Sequence, residues 1–263
     1  MKRIIPLVVL FVVFYVFFSR APLSEEQRGF FGSGLGYGLL GLVFLVVFGI
    51  TYSRTRGWQT AYNEGAALTQ QGRTSEALEK FKVADRKSSW SITSMTLGAT
   101  SLLLWKVPDA IAAFQEFERR TGRILTPTPE ALKQSAYSNL SLAYALSGQL
   151  SAAHATLARV APPSEISRLA EVALACREQQ WQRAKELLAK NAMLLDQLGG
   201  SLRGLLDALI AWTASHLGGP GSEVSSVRLF RETSPDGLRQ AWPELVAFVE
   251  RVEAGPNSSA LAL

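Results

Sequence analysis

Apolar residues follow two different patterns in this chain. From Ile4 to Phe18 and from Phe30 to Tyr52 they run without a single charge, whereas after Arg54 they recur at helical spacing among charged and small residues. An unbroken apolar run suits a helix surrounded by hydrocarbon, and a one-faced stripe suits a helix lying on a core. As a helix rising about 1.5 Å per residue, the second run covers more than the ~30 Å hydrocarbon layer of a bilayer. Phe30 and Phe31 at one end, and Tyr52 with Trp58 at the other, stand where interfacial aromatic anchors sit. The first run, bounded by Arg3 and Arg20, reaches only about 24 Å, so spanning calls for local thinning or a snorkelling arginine. A cleaved signal peptide is the rival reading of this run. Its only small-x-small exit, Ser19-Arg20-Ala21, carries an arginine and is followed by Pro22, which favours a retained helix.

Beyond the apolar runs the periodicity predicts paired helices: Trp58 to Gln70 with Ser75 to Arg86, then Ile92 to Leu104 with Asp109 to Arg120. The two pairs are copies of one another, since Gly65, Ala77, Leu78 and Phe81 recur at one common offset as Gly98, Ala110, Ile111 and Phe114. Gly72 breaks the first pair as a turn residue does. A third copy is visible in Leu140, Tyr144, Gly148, Ala153 and Leu157, displaced by extra residues around Thr126-Pro127-Thr128-Pro129. A fourth keeps Ala184 and Leu188 but lacks the turn glycine.

These residues resemble the tetratricopeptide repeat, with Gly65, Gly72, Ala77, Phe81 and Ala84 of the first unit at matching places. The resemblance implies small residues where the two helices of a hairpin cross, and aromatic or aliphatic residues where successive hairpins stack. A hairpin this short cannot bury its apolar face alone, so neighbours must stack into a continuous core. The expected fold is therefore all-α: a transmembrane hairpin within residues 1–56, with helices near 4–19 and 30–52; a tetratricopeptide-like right-handed α-solenoid over 57–191, in units near 58–91, 92–124, 134–164 and 165–191; capping helices over 192–254; and a disordered tail at 255–263. Leu202 to Leu217 reads as one capping helix, ended by Gly218-Gly219-Pro220. Ser234-Pro235-Asp236 opens another that runs to Glu250 and is offset by Pro243.

Charge sharpens this picture mainly at the membrane. The net charge of +5 looks suited to nucleic acid until it is divided, because Lys2, Arg3, Arg20, Arg28, Arg54 and Arg56 flank the apolar runs. Later basic residues are scattered among acids without a stripe, so nucleic acid is not an expected partner. Lys2 and Arg3 before the first run, and Arg54 and Arg56 after the second, put both ends of the hairpin in the cytoplasm of a bacterial inner membrane. Gly36-Tyr37-Gly38-Leu39-Leu40-Gly41 fits a dinucleotide fingerprint, but an uncharged apolar run surrounds it. Gly32 with Gly36 and Gly34 with Gly38 read instead as close-packing pairs, against the first span or in a homodimer through the second.

No chemistry-bearing constellation emerges. His154, His216 and Cys176 lack motif partners, and no zinc, P-loop or nucleophile-elbow motif occurs, so neither catalysis nor a cofactor or metal is expected. What remains is binding. By the resemblance, the first helices of the hairpins line a concave face, which would present Gln59, Tyr62, Ala66 and Thr69, then Met95, Ala99 and Leu102, then Leu142. Its apolar middle suits a protein partner offering an amphipathic helix or an apolar peptide, rather than an acidic tail. Met95, Leu102 and Leu103 packing against a capping helix is the competing reading. The function expected is a membrane-tethered scaffold or adaptor, the alternatives being an assembly factor for membrane or secreted clients and an enzyme of unrecognised type.

Overall fold

The computed structural model describes residues 56–121, 128–219, 226–230 and 233–254, with Gly41, Val46 and Gly49 as isolated helical positions. Apart from those three, the runs at 4–19 and 30–52, the glycine pairs and the tail at 255–263 lie outside the described residues. Among the described residues no helix is long and apolar enough to cross a membrane. The chain divides into Met1–Arg54 and Thr55–Leu263, and the helices that follow belong to the second unit.

Every regular element among the described residues is a helix. Four hairpins follow one another. Helix α1 (56–70) pairs with α2 (Thr74–Lys87), α3 (Ser91–Leu103) with α4 (Val107–Thr121), α5 (Glu130–Leu146) with α6 (Leu150–Leu157), and α7 (Glu165–Arg177) with α8 (Trp181–Lys190). Then come α9 (Ala192–Leu195), α10 (Gly200–His216), α11 (Ser226–Leu229), α12 (Asp236–Ala241) and α13 (Pro243–Ala254). Pro243 opens α13, where its missing N–H costs nothing, and the expected final helix is thereby split at Trp242.

One turn closes all four hairpins. Its central residue is left-handed each time: Gly72 (φ 73°), Trp105 (56°), Gly148 (74°) and Gln179 (57°). The next residue's N–H reaches back five positions in each: Arg73 to Leu68 O at 2.9 Å, Lys106 to Ser101 O at 2.9 Å, Gln149 to Tyr144 O at 2.9 Å, Gln180 to Ala175 O at 2.8 Å. This is the Schellman closure of a helix end. Gly218 (φ 73°) and the bond from Gly219 to Ala214 O (2.9 Å) repeat it after α10. Four residues past each of the four hairpin turns' last position stand Ala77, Ala110, Ala153 and Ala184, each 0% exposed.

Helix crossings repeat as well. A Cβ built on Gly65 falls 2.7 Å from the Phe81 ring, and one on Gly98 falls 2.8 Å from the Phe114 ring, so each phenylalanine occupies the space its glycine vacates. In the same register, Ser141 and Leu157 hold these places in the third hairpin and Val172 and Leu188 in the fourth. The pair thus passes from Gly and Phe, through Ser and Leu, to Val and Leu. From the first two hairpins to the third, volume lost on one helix is gained on the other, as close packing demands.

First helices pack in sequence, α3 on α5, α5 on α7 and α7 on α10, and each second helix also touches the next first helix. The stack has two edges. At the loop edge, where one hairpin passes to the next, Asp85 Oδ1 accepts from Thr93 Oγ1 (2.9 Å), Ser94 Oγ (2.8 Å) and Arg120 Nη1 (2.7 Å), tying α2, α3 and α4 together. At the turn edge, α11 to α13 run back along the hairpin ends. Trp105 Nε1 donates to Leu229 O at 3.0 Å, and Gly237 lies so close to the Trp105 carbonyl that a methyl group there would collide with it. Arg177 Nη2 donates to Leu146 O and Ala241 O, and its guanidinium lies 4.1 Å over the Trp242 ring. A bulky residue such as Trp105 is costly in the left-handed region, and burial on all sides holds it there.

Candidate functional site

The residues expected to line a concave face separate into two groups. Gln59, Tyr62 and Ala66 on α1 and Met95 and Ala99 on α3 are half-buried, and Thr69 is exposed. Tyr62 Oη meets Thr96 Oγ1 at 3.2 Å, so the α1 and α3 faces adjoin. Leu102 and Leu142, by contrast, are 1% and 0% exposed, and they belong to the same core as Leu229, Leu238 and Trp242 from the returning helices. The structure therefore removes these two leucines from the accessible surface and leaves the α1 and α3 portion of the expected face exposed or half-buried. The residues expected to be structural have defined places: Gly65 with Phe81 and Gly98 with Phe114 at crossings, Gly72 and Gly148 at turns, and Ala77, Ala110 and Ala153 fully buried at second-helix starts.

A concavity unforeseen from the sequence lies where the α7–α8 turn meets α10 and α13. This cleft of about 700 Å³ is walled by Trp181, Trp212, His216, Trp242 and Phe248. Trp181 stacks on His216 with centroids 3.9 Å apart, and Trp212 stands edge-on to Trp242 at 5.2 Å. Arg177, Arg251 and Glu244 supply charge at its border. The guanidinium of Arg177 is pulled below its ordinary range by burial, and Glu244, 3.9 Å from Nη1, opposes that. Trp212 and His216 share a face of α10, one turn apart. Their partners come from sequence positions far removed, which no local spacing reveals.

The reactive side chains do not converge. His154 Nε2 pairs with Glu178 at 2.6 Å on the surface. His216 Nδ1 donates to Trp212 O at 2.9 Å, which fixes its ring against Trp181. Cys176 is buried with its thiol pushed up to about 11 by desolvation, far from the thiolate a nucleophile requires. Among the described residues no group of His, Cys, Asp and Glu has the arrangement to hold a metal ion. What the molecule offers is surface: a mixed polar and apolar face on α1 and α3, and an aromatic cleft at the other end of the stack. No protein family, no curated protein and no solved structure matches this chain.

Proposed function

We propose that this protein is a membrane-tethered scaffold of tetratricopeptide-like hairpins that holds a protein partner at the cytoplasmic face of a bacterial inner membrane. The observation that carries the reading is the repetition of one hairpin: the same left-handed turn and the same five-residue back-bond recur in all four, and the glycine-against-phenylalanine crossing in the first two. A protein that builds the same unit again and again makes extended surface rather than a single convergent pocket, and extended surface binds chains. The two uncharged runs and their basic flanks supply the tether. Tethering raises the local concentration of whatever the stack holds.

Gln59, Thr69, Met95 and Ala99 present the face that suits a partner helix or apolar peptide. Two measurements test the reading together. Alkaline extraction of bacterial membranes should leave the full chain in the pellet, and external protease on intact spheroplasts should spare the region after Arg56. In detergent extracts, Gln59→Ala with Met95→Ala should weaken retention of a stoichiometric partner while thermal melting stays close to that of the parent. Release by alkali, or a partner indifferent to both changes, contradicts it.

A further inference from the structure

We propose that the loop edge of the first hairpins rests on the bilayer surface, with Trp58 and Trp90 at the headgroup level and Arg86 and Lys87 against anionic phospholipid. This deepens the tether reading and rests on it. Trp90 is 53% exposed, a large indole left in solvent by a fold that buries Trp105 and Trp242 almost completely. Trp58 lies beside it, ring centroids 6.4 Å apart, and packs edge-on to Tyr62 at 6.3 Å. A Cβ on Gly57 would stand 3.8 Å from Lys87 Cδ, which sets the start of α1 beside the end of α2. Arg86 and Lys87 are exposed there, and neither is held in an ion pair among the described residues. One edge therefore gathers two indoles and two exposed positive charges.

That composition fits the membrane interface, where tryptophan is enriched and each basic residue gains from an anionic surface. Chain connection selects this occupant over a protein. The uncharged run ends at Ser53, and Arg54 and Arg56 lead directly into α1, whose first turn carries Trp58. If the run spans the bilayer, only a few residues of chain separate its end from Trp58.

The test uses the full chain with Cys176→Ala, reconstituted in vesicles of phosphatidylcholine with a minority of phosphatidylglycerol. A spin label is placed through Ser89→Cys at the loop edge or Gln149→Cys at the turn edge, both exposed positions. The label at 89 should be several-fold less accessible to an aqueous nickel chelate, and more accessible to oxygen, than the label at 149. Each basic residue at an anionic surface changes the docked ratio by about fivefold, so Arg86→Gln with Lys87→Gln should lower it by about 25-fold and return the label at 89 to water. Equal accessibility at 89 and 149 in a chain that floats with the vesicles overturns this arrangement and leaves the tether intact. A chain that does not float, or that alkali strips off, overturns both.

Discussion

The two edges of the hairpin stack are both built around tryptophan and arginine, and they use them in opposite ways. At the turn edge Trp105 and Trp242 are sealed, and Arg177 spends its Nη2 on two helix-end carbonyls that belong to different parts of the chain. At the loop edge the arginine of the network, Arg120, is likewise half-buried, against Asp85 and Glu116, yet the tryptophan above it, Trp90, stays in solvent although Arg120 Nη1 reaches its carbonyl at 3.3 Å. Each edge has a rivet. Only one has a lid. The returning helices α11 to α13 lie along the turn edge, where Leu229, Leu238 and Trp242 join the core that also holds Leu102 and Leu142.

The strongest way to break this comparison is to remove the loop-edge rivet. Asp85→Ala removes the carboxylate that Thr93, Ser94 and Arg120 share and leaves Arg120 on Glu116 alone; at about 1.5 kcal/mol or more for each charged hydrogen bond, a loss of about 3 to 5 kcal/mol is expected. Denaturant unfolding of the detergent-solubilised chain should show a drop of that size, and a loss below about 1 kcal/mol would mean the first two hairpins are joined by packing alone. Next comes Arg177→Met. Charged hydrogen bonds contribute about 1.5 to 3 kcal/mol each in favourable settings. Here the retained stem keeps part of the stacking on Trp242, so about 2 to 4 kcal/mol is expected. Limited proteolysis should then cut first in the connections around α11, releasing the returning helices before α1 to α4 are touched. Cleavage in the first hairpins instead would show that the turn edge is not closed by this residue.

Smaller effects sharpen the repeat itself. Gly65→Ser should cost about 1 to 3 kcal/mol, because the new side chain meets the Phe81 ring. Adding Phe81→Leu reproduces the Ser and Leu pair of the third hairpin and should recover more than half of that loss; no recovery would dissociate the two positions. Acid provides a gentler probe. Hydrogen bonds from Arg119 foremost, and from Arg120, hold Glu116 at about 2 against an ordinary 4.5. A depressed carboxyl stabilises the fold above its unfolded value and loses that contribution as pH falls through 4.5 toward 2. The melting temperature of Glu116→Gln should therefore fall less steeply over that window than the parent's. The smallest effect is expected at Trp90→Ser, within about 0.5 kcal/mol, because an exposed side chain makes little of the core. The same change at Trp105 would empty a sealed site.

Much of the repeat was legible because it is written in short-range signals. Gly65, Ala77 and Phe81 recur as Gly98, Ala110 and Phe114, and residues so spaced meet through local hairpin geometry alone. The fourth hairpin was harder to read, since Gln179 takes the left-handed position that glycine marks elsewhere, and Val172 with Leu188 replaces the glycine and phenylalanine pair. The candidate surface was half legible. Register puts Met95 and Leu102 on the same helix face, but it is tertiary packing that leaves one half-exposed and seals the other. No periodicity in α3 carries information about a segment more than a hundred residues later, and the Trp105 bond to Leu229 joins positions that far apart. The aromatic cleft was invisible for the same reason.

The claim that the chain binds a partner through the open face of its first hairpins is tested most directly by site-specific photocrosslinking in native membranes. A benzoylphenylalanine in place of Gln59 or Met95 should yield one discrete adduct of constant mass, and the same probe in place of Gln149 at the turn edge should yield none. Adducts of equal yield at all three positions, or none at 59 and 95, would contradict it.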